Sequence, residues 1–229
     1  MARGLFIAFE GMPTCGKGTQ ANKLFAHMRY RANCEKKHLT VLSTSEPRNS
    51  ERIKELISSD SKYKLPGEKV KLYLRDRAEH YQTEISPALE RGNFVLCEGY
   101  NFMTAASFIS YGGSLEEFLT LPENEEFGKP DLTILFKISP DQVIENLSTP
   151  RSGANLQKSV SEQSLAYYQL LAKNLDDLAR LNLPLFGKIE RITVDGRMKS
   201  DIGEEVRHVY NPLFFDWLQK ERTPQCVSS

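Results

Sequence analysis

An α/β fold, with a mostly parallel sheet covered by helices on both faces, is what this 229-residue chain predicts. Three observations carry that expectation. Short apolar runs recur along the chain, each is followed by a stretch of helical character, and the first leads through a glycine-rich turn into an amphipathic helix. The balance of 40% apolar and 26% charged residues is that of an ordinary globular protein with enough chain for a full core.

The apolar runs are Leu5 to Glu10, Leu39 to Thr44, Phe94 to Glu98, Leu132 to Ile138 and Ile189 to Asp195, which predicts a sheet of about five strands. Ala21, Leu24, Phe25 and Met28 follow helical spacing. Val70, Leu74, Ala78, Tyr81, Ile85 and Ala88 trace a longer helix ending at Gly92. The segment from Phe102 to Tyr111 is apolar all round, so it must be buried, either inside the fold or against another subunit. Ser58 to Gly67, Gly112 to Pro130 and Ser148 to Ser161 are rich in turn-forming and charged residues and read as loops. Residues 1–222 are expected to form one domain and 223–229 a disordered tail. Ligands of such a sheet bind beyond the carboxyl ends of its strands.

Charge and cysteine usage narrow the function. With 30 basic and 30 acidic residues the net charge is zero, against the broad attraction that nucleic-acid binding uses. The basic stretch from Arg29 to His38 is short and reads as a solvated helix end. No apolar run is long enough to cross a bilayer. The cysteines at 15, 34, 97 and 226 lack metal-ligand or paired spacing, as expected in a reducing, cytoplasmic setting.

The strongest chemical signal follows the first strand. Gly11-Met12-Pro13-Thr14-Cys15-Gly16-Lys17-Gly18-Thr19 is a phosphate-binding loop between a strand and a helix, as the mechanism requires. Gly11 and Gly16 let the backbone curl so that N–H groups face phosphate oxygens, and the helix N-terminus adds its dipole. Lys17 brings a mobile charge to the outer phosphates. Gly18 stands where Ser or Thr usually follows the lysine and touches Mg²⁺; Gly16 to Gln20 instead resembles the adenylate kinase loop. That likeness implies a metal held through water and a carboxylate, with the Thr19 hydroxyl on a donor phosphate.

Tyr73 and Arg77 are four residues apart and share a helix face, with His80 one turn on. Glu98 ends the third strand, where a carboxylate can hold Mg²⁺. Glu46-Pro47 follows the second strand as a stiffened turn whose acid could accept from a sugar hydroxyl. Arg151 and Lys158 lie in the third loop, where a cation can reach a transferring phosphoryl group.

Phe9-Glu10-Gly11, the helix from Leu72 to His80 with Pro87 to Gly92, Pro130 to Thr133, and Val194-Asp195-Gly196 together resemble the thymidylate kinases over nearly the whole chain. The resemblance implies a P-loop kinase fold with a short lid at 148–161. It also implies ATP as donor, Mg²⁺ at Glu98, a deoxypyrimidine monophosphate as acceptor, and a homodimer. On it, Tyr73 stacks on the base, Arg77 holds the acceptor phosphate, Glu46 lies near the acceptor, and the lid supplies Arg151 and Lys158. The backbone at Asp195 and Gly196 borders adenine, and Cys15 belongs to the ATP loop.

This chain departs from the family pattern at five positions. Pro13 stands for Asp, Ser45 and Gly99 each stand for Arg, and the glutamine that pairs with the thymine edge falls at Phe108, beside Ser107 in place of tyrosine. Arg48, next to Pro47, is a candidate replacement for the cation absent at Ser45. A deoxynucleoside kinase using Glu46 as base, and a nucleotide-binding protein without turnover, remain alternative readings.

Overall fold

A computed structural model describes residues 2–34, 40–149 and 164–222. Strand β1 (Phe6–Gly11) leads into helix α1 (Lys17–Cys34), and β2 (Val41–Ser45) into α2 (Ser50–Ser59). Helices α3 (Pro66–His80) and α4 (Ser86–Glu90) precede β3 (Phe94–Glu98); α5 (Asn101–Ser110) and α6 (Leu115–Leu119) precede β4 (Leu132–Lys137). Then come α7 (Pro140–Ser148), α8 (Leu165–Leu181), β5 (Lys188–Thr193) and α9 (Lys199–Arg222). All five predicted strands are present, each within two residues of the expected ends.

The sheet is wholly parallel, in the order β2-β3-β1-β4-β5. After β1 the chain moves to one side, and after β3 it crosses to the other, so the order reverses at β1. The loop leaving β1 therefore opens at the reversal, where a doubly wound sheet leaves a crevice. Burial follows position in the sheet. Every residue of β1 is buried, with Phe6 to Phe9 fully so, whereas β5 at the edge buries only Ile192.

Three expectations need correcting. The predicted helix from Val70 to Gly92 is not regular: between α3 and α4, Tyr81–Ile85 form a π-helical turn, in which the Ser86 N–H donates to Tyr81 O five residues back. Pro87 has no N–H to give to the ladder, and the wider turn sets this proline at the start of α4, where none is needed. The segment from Gly112 to Pro130, expected as a loop, contains α6 and a 3-10 turn at Pro122–Glu125. Ser114 and Glu117 form a reciprocal capping box at the start of α6, and Phe118 buries completely beneath it. A second 3-10 turn, Ser61–Lys64, interrupts the loop expected from Ser58, and the Asp60 side chain caps it.

The apolar α5 is buried in part by its own chain. It packs on α8, α3, α6 and β1, with Phe102, Ala105, Ala106 and Phe108 enclosed. Met103 and Ile109 are half-buried, and Tyr111 just past its end is exposed. No helix among the described residues is long and apolar enough to cross a membrane. The basic stretch after Arg29 is partly committed: Arg31 lies 4.4 Å over the Phe214 ring of α9, and residues 35–39 are outside the described set.

Candidate active site

The phosphate loop spans the gap between β1 and α1 at the sheet's carboxyl edge. Gly11 has φ of 140° and sits so close to β4 that an added Cβ would meet Phe136 O at 2.5 Å. Only glycine fits there. Gly16 has φ of 86° with nothing within 4 Å of an added Cβ, so its backbone faces open space. The first N–H groups of α1, at Lys17, Gly18 and Thr19, have no preceding helical carbonyl to bond and form an anion-binding end. Gly16, Lys17, Gly18 and Thr19 are all exposed or half-buried, and no described carboxylate pairs with Lys17. Cys15 is buried, and burial raises its thiol pKa. It supports the loop from beneath.

Glu98 ends β3 and leans over α1. A Cβ on Gly18 would collide with its carboxylate. The glycine that displaces the usual Ser or Thr therefore makes room for this acid. The Glu98 carboxylate has no hydrogen-bond partner among the described residues, so both its oxygens are available to a cation. An unpartnered carboxylate beside the phosphate loop fits Mg²⁺ and its water shell. No group of three or more metal-ligating side chains occurs among the described residues.

From Glu98 the chain turns through Gly99 into a cavity of about 300 Å³ between α3 and α5. The two helices run antiparallel along it. At the strand end, Arg77 meets Tyr100, Asn101 and Thr104; at the other, Lys69 lies 5.3 Å from the Tyr111 ring centroid. Tyr73 lines the middle, facing α5, with Met103, Ser107 and Phe108 among the opposite lining. Glu46 and Pro47 close the end nearest the phosphate loop. The cavity thus brings together Glu46, Tyr73, Arg77 and Phe108 of the expected acceptor residues.

Arg77 is the best-fixed of these. Its Nε donates to Glu46 Oε2 at 2.5 Å, Nη1 to Asn101 Oδ1 at 3.1 Å, and Nη2 to Tyr100 O and Thr104 Oγ1 at 2.9 Å each. Four of five N–H donors are engaged by protein. Burial alone would lower its pKa, but the Glu46 carboxylate reverses this and raises it, so Arg77 stays charged. Instead of presenting a free fork to a phosphate, it ties α3 to β2 and α5. Glu46 is equally committed: its other oxygen lies 3.2 Å from His80 Nδ1, while His80 Nε2 lies 2.9 Å from Thr44 Oγ1. A carboxylate held from both sides is poorly placed as a general base.

Other expected residues lie elsewhere. Arg48 does not line the cavity; its Nε donates to Glu84 Oε1 at 2.8 Å on an exposed flank. The Asp195 carboxylate accepts from the Ser139 N–H at 2.9 and 3.0 Å, joining the ends of β4 and β5. Its neighbour Gly196 is open, with φ of 66°. Arg151, Lys158 and most of the lid lie outside the described residues.

Two residues of this region were not singled out from sequence. Glu10 is fully buried at the floor of the cleft, its Oε1 accepting from the Tyr100 and Phe102 N–H groups at 2.9 Å, its Oε2 without a partner. Burial raises its pKa to about 7, against the lowering pull of Arg77 and Lys17. Within Phe9-Glu10-Gly11 an acid inside an apolar strand was the available signal. Lys69 lies four residues before Tyr73, as Arg77 lies four after, so helical spacing already placed all three on one face.

Comparison with known proteins agrees with this geometry. A family model described as Thymidylate kinase matches residues 9–185. The thymidylate kinase of Caldicellulosiruptor saccharolyticus is 30% identical over 217 residues, 92% of this chain and 98% of that one. That of Desulfotalea psychrophila is 32% identical over 151 residues, 65% of this chain and 70% of its own length. A crystal structure of thymidylate kinase from Ehrlichia chaffeensis has the same fold, with a TM-score of 0.66 at 19% identity, covering 91% of this chain and 99% of that one. With its parallel sheet, its phosphate loop and a match over most of its length, this chain belongs to the thymidylate kinase family.

Proposed function

We propose that the protein transfers the terminal phosphoryl group of ATP to thymidylate, giving the diphosphate. The observation that carries this is the cavity between α3 and α5, whose near end at Gly99 adjoins Glu98 and through it the phosphate loop. A donor at Lys17 and an acceptor in the cavity would meet at the strand ends. In such a transfer the protein's work is positioning and charge neutralisation, because the acceptor is already an anion.

Lys17 and the free N–H groups of α1 would hold the outer donor phosphates. Glu98 would hold Mg²⁺, which supplies neutralisation of charge on the donor phosphates. Tyr73 would stack on the base, with Phe108 as an apolar wall across from it, and the Glu46–Arg77 pair would fix the cavity's shape. Arg151 and Lys158 remain the proposed lid cations, and the backbone at Asp195 and Gly196 the proposed adenine border. A homodimer is proposed from the family likeness, with sedimentation at micromolar concentration as its check. A cytoplasmic setting is supported by the two buried free cysteines, Cys15 and Cys97.

The test is ADP release from Mg-ATP against a panel of nucleosides and their monophosphates. Release with thymidylate and not thymidine is expected. Release with nucleosides alone would favour the deoxynucleoside kinase reading, and tight ATP binding with no release would show a protein without turnover.

A further inference from the structure

The two halves of the site stand on different elements, the donor loop on β1 and α1, the acceptor wall on α3 and α5. Glu10 joins them. It immediately precedes Gly11, the first residue of the phosphate loop, and no part of it is exposed. Its Oε1 accepts from the N–H groups of Tyr100 and Phe102 at 2.9 Å each, one on either side of Asn101, the first residue of α5. Tyr100 is the N-cap of that helix and brings no capping side chain of its own. The start of the acceptor wall is therefore held by an acid at the root of the donor loop. Beyond that start, Met103, Thr104, Ser107 and Phe108 line the cavity.

Neighbouring bonds serve the same turn. The Gly99 N–H donates to Phe9 O at 2.9 Å, so the strand that feeds the phosphate loop also fixes the residue after Glu98. Arg77 donates to Tyr100 O at 2.9 Å and to Asn101 Oδ1 at 3.1 Å, which ties α3 to it as well. A cap alone does not account for the acid. Asp, Asn, Ser or Thr at position 100 would satisfy the same helix end locally. Here instead a carboxyl is wholly enclosed with Oε2 lacking a partner, and burial raises its pKa to about 7 against the pull of Arg77 and Lys17. Enclosing it so is unfavourable. What a local cap would not provide is a fixed distance between α5 and the phosphate loop.

Phosphoryl transfer depends on that distance. The reacting atoms must come within about 3 to 3.5 Å, and a misplacement of about 1 Å costs about a hundredfold in rate. We propose that Glu10 is a positioning residue for the transfer: it caps α5 from the root of the phosphate loop and so sets the register of acceptor against donor, touching neither nucleotide. The role rests on the reading of the cavity as a nucleoside monophosphate site.

The experiment uses three variants. Glu10→Gln keeps an acceptor for both N–H groups, Glu10→Met removes it at similar length, and Glu10→Asp withdraws it by one methylene. Calorimetry reads Kd for Mg-ATP alone, for thymidylate alone, and for a compound joining adenosine and thymidine 5′ to 5′ through a phosphate chain; single-turnover kinetics reads the transfer. In Glu10→Met the rate should fall about a hundredfold while each separate Kd stays within about threefold. The joined compound should bind about tenfold more weakly, because it alone spans both halves. Glu10→Gln should keep the rate within about fivefold of wild type, with Glu10→Asp between, and Glu10→Asp carries the comparison if Glu10→Met does not fold. A loss of rate matched by equal loss in the separate Kd values would show an ordinary structural cap and overturn the role. So would a wild-type rate and joined-compound affinity in Glu10→Met, or a glutamine variant that falls as far as the methionine one. A wild type that binds Mg-ATP but not thymidylate would strike the reading of the cavity itself, and the role with it.

Discussion

Replacing Glu10 with glutamine isolates one buried proton. In wild type the folded-state pKa is raised from 4.5 to about 7, because burial outweighs the pull of Arg77 and Lys17. A carboxyl raised in this way binds its proton longer folded than unfolded. Its contribution is full below about pH 4.5 and is lost as pH rises toward 7. Integrated between pH 5 and 8, that loss comes to about 2.5 kcal/mol, or roughly 5 to 10 °C in Tm for a chain of this size. Glutamine keeps an acceptor for the Tyr100 and Phe102 N–H groups but carries no titrating proton. The assay is thermal unfolding of both proteins at pH 5, 6, 7 and 8, reading the difference in Tm so that groups common to both cancel. Glu10→Gln should gain on wild type steadily across that range. A difference in Tm that stays constant from pH 5 to 8 would refute the raised pKa and the desolvation argument behind it.

Lys17→Met should cut turnover by about a thousandfold while leaving Tm nearly unchanged, since the ammonium has no described carboxylate partner; single-turnover kinetics and calorimetry check both. Arg77→Met strands the Glu46 carboxylate in a buried site and should cost about 3 to 5 kcal/mol, measured by urea unfolding, with Glu46→Gln in the same chain restoring part of it. Gly18→Ala should show opposite signs: stability held or slightly raised through helix propensity, and Mg-ATP turnover lowered tenfold or more as the new methyl displaces Glu98. Equal activity of Gly18→Ala and wild type would remove Glu98 from the metal's neighbourhood.

The phosphate-loop half of the site, the proposed donor side, was legible because it is local. Strand, loop, lysine and helix follow one another within a few residues, and each imposes its own residue types. The strands were legible for the same reason: continuous burial on both faces leaves β1 and β4 almost wholly apolar. What sequence hid depends on partners distant in the chain. Arg48 stands beside Pro47, yet its side chain finds Glu84 on the turn between α3 and α4, and so leaves the cavity. Glu98 could be placed at a strand end, but its contact with Gly18 appears only once β3 lies next to β1. The capping box at Ser114 was local and readable; the surrounding turn-rich composition masked it.

Arg77 shows why a residue's type and face do not fix its task. On helical spacing it is a free guanidinium beside a stacking tyrosine, well suited to a phosphate. In the fold it is 2% exposed, and to grip a phosphate with its full fork it would have to release Glu46, leaving that buried acid with His80 alone as its partner. Glu46 and Glu10 would then share one lost cation, so the exchange is unfavourable unless the incoming phosphate replaces every bond. Arg77 is therefore better read as the post that holds the cavity open, with charge on the reacting phosphates answered from Lys17, the α1 N-terminus and the proposed lid cations. That division places fixed charge in the cavity wall, at Arg77, and unpaired charge at Lys17, where phosphoryl transfer would occur.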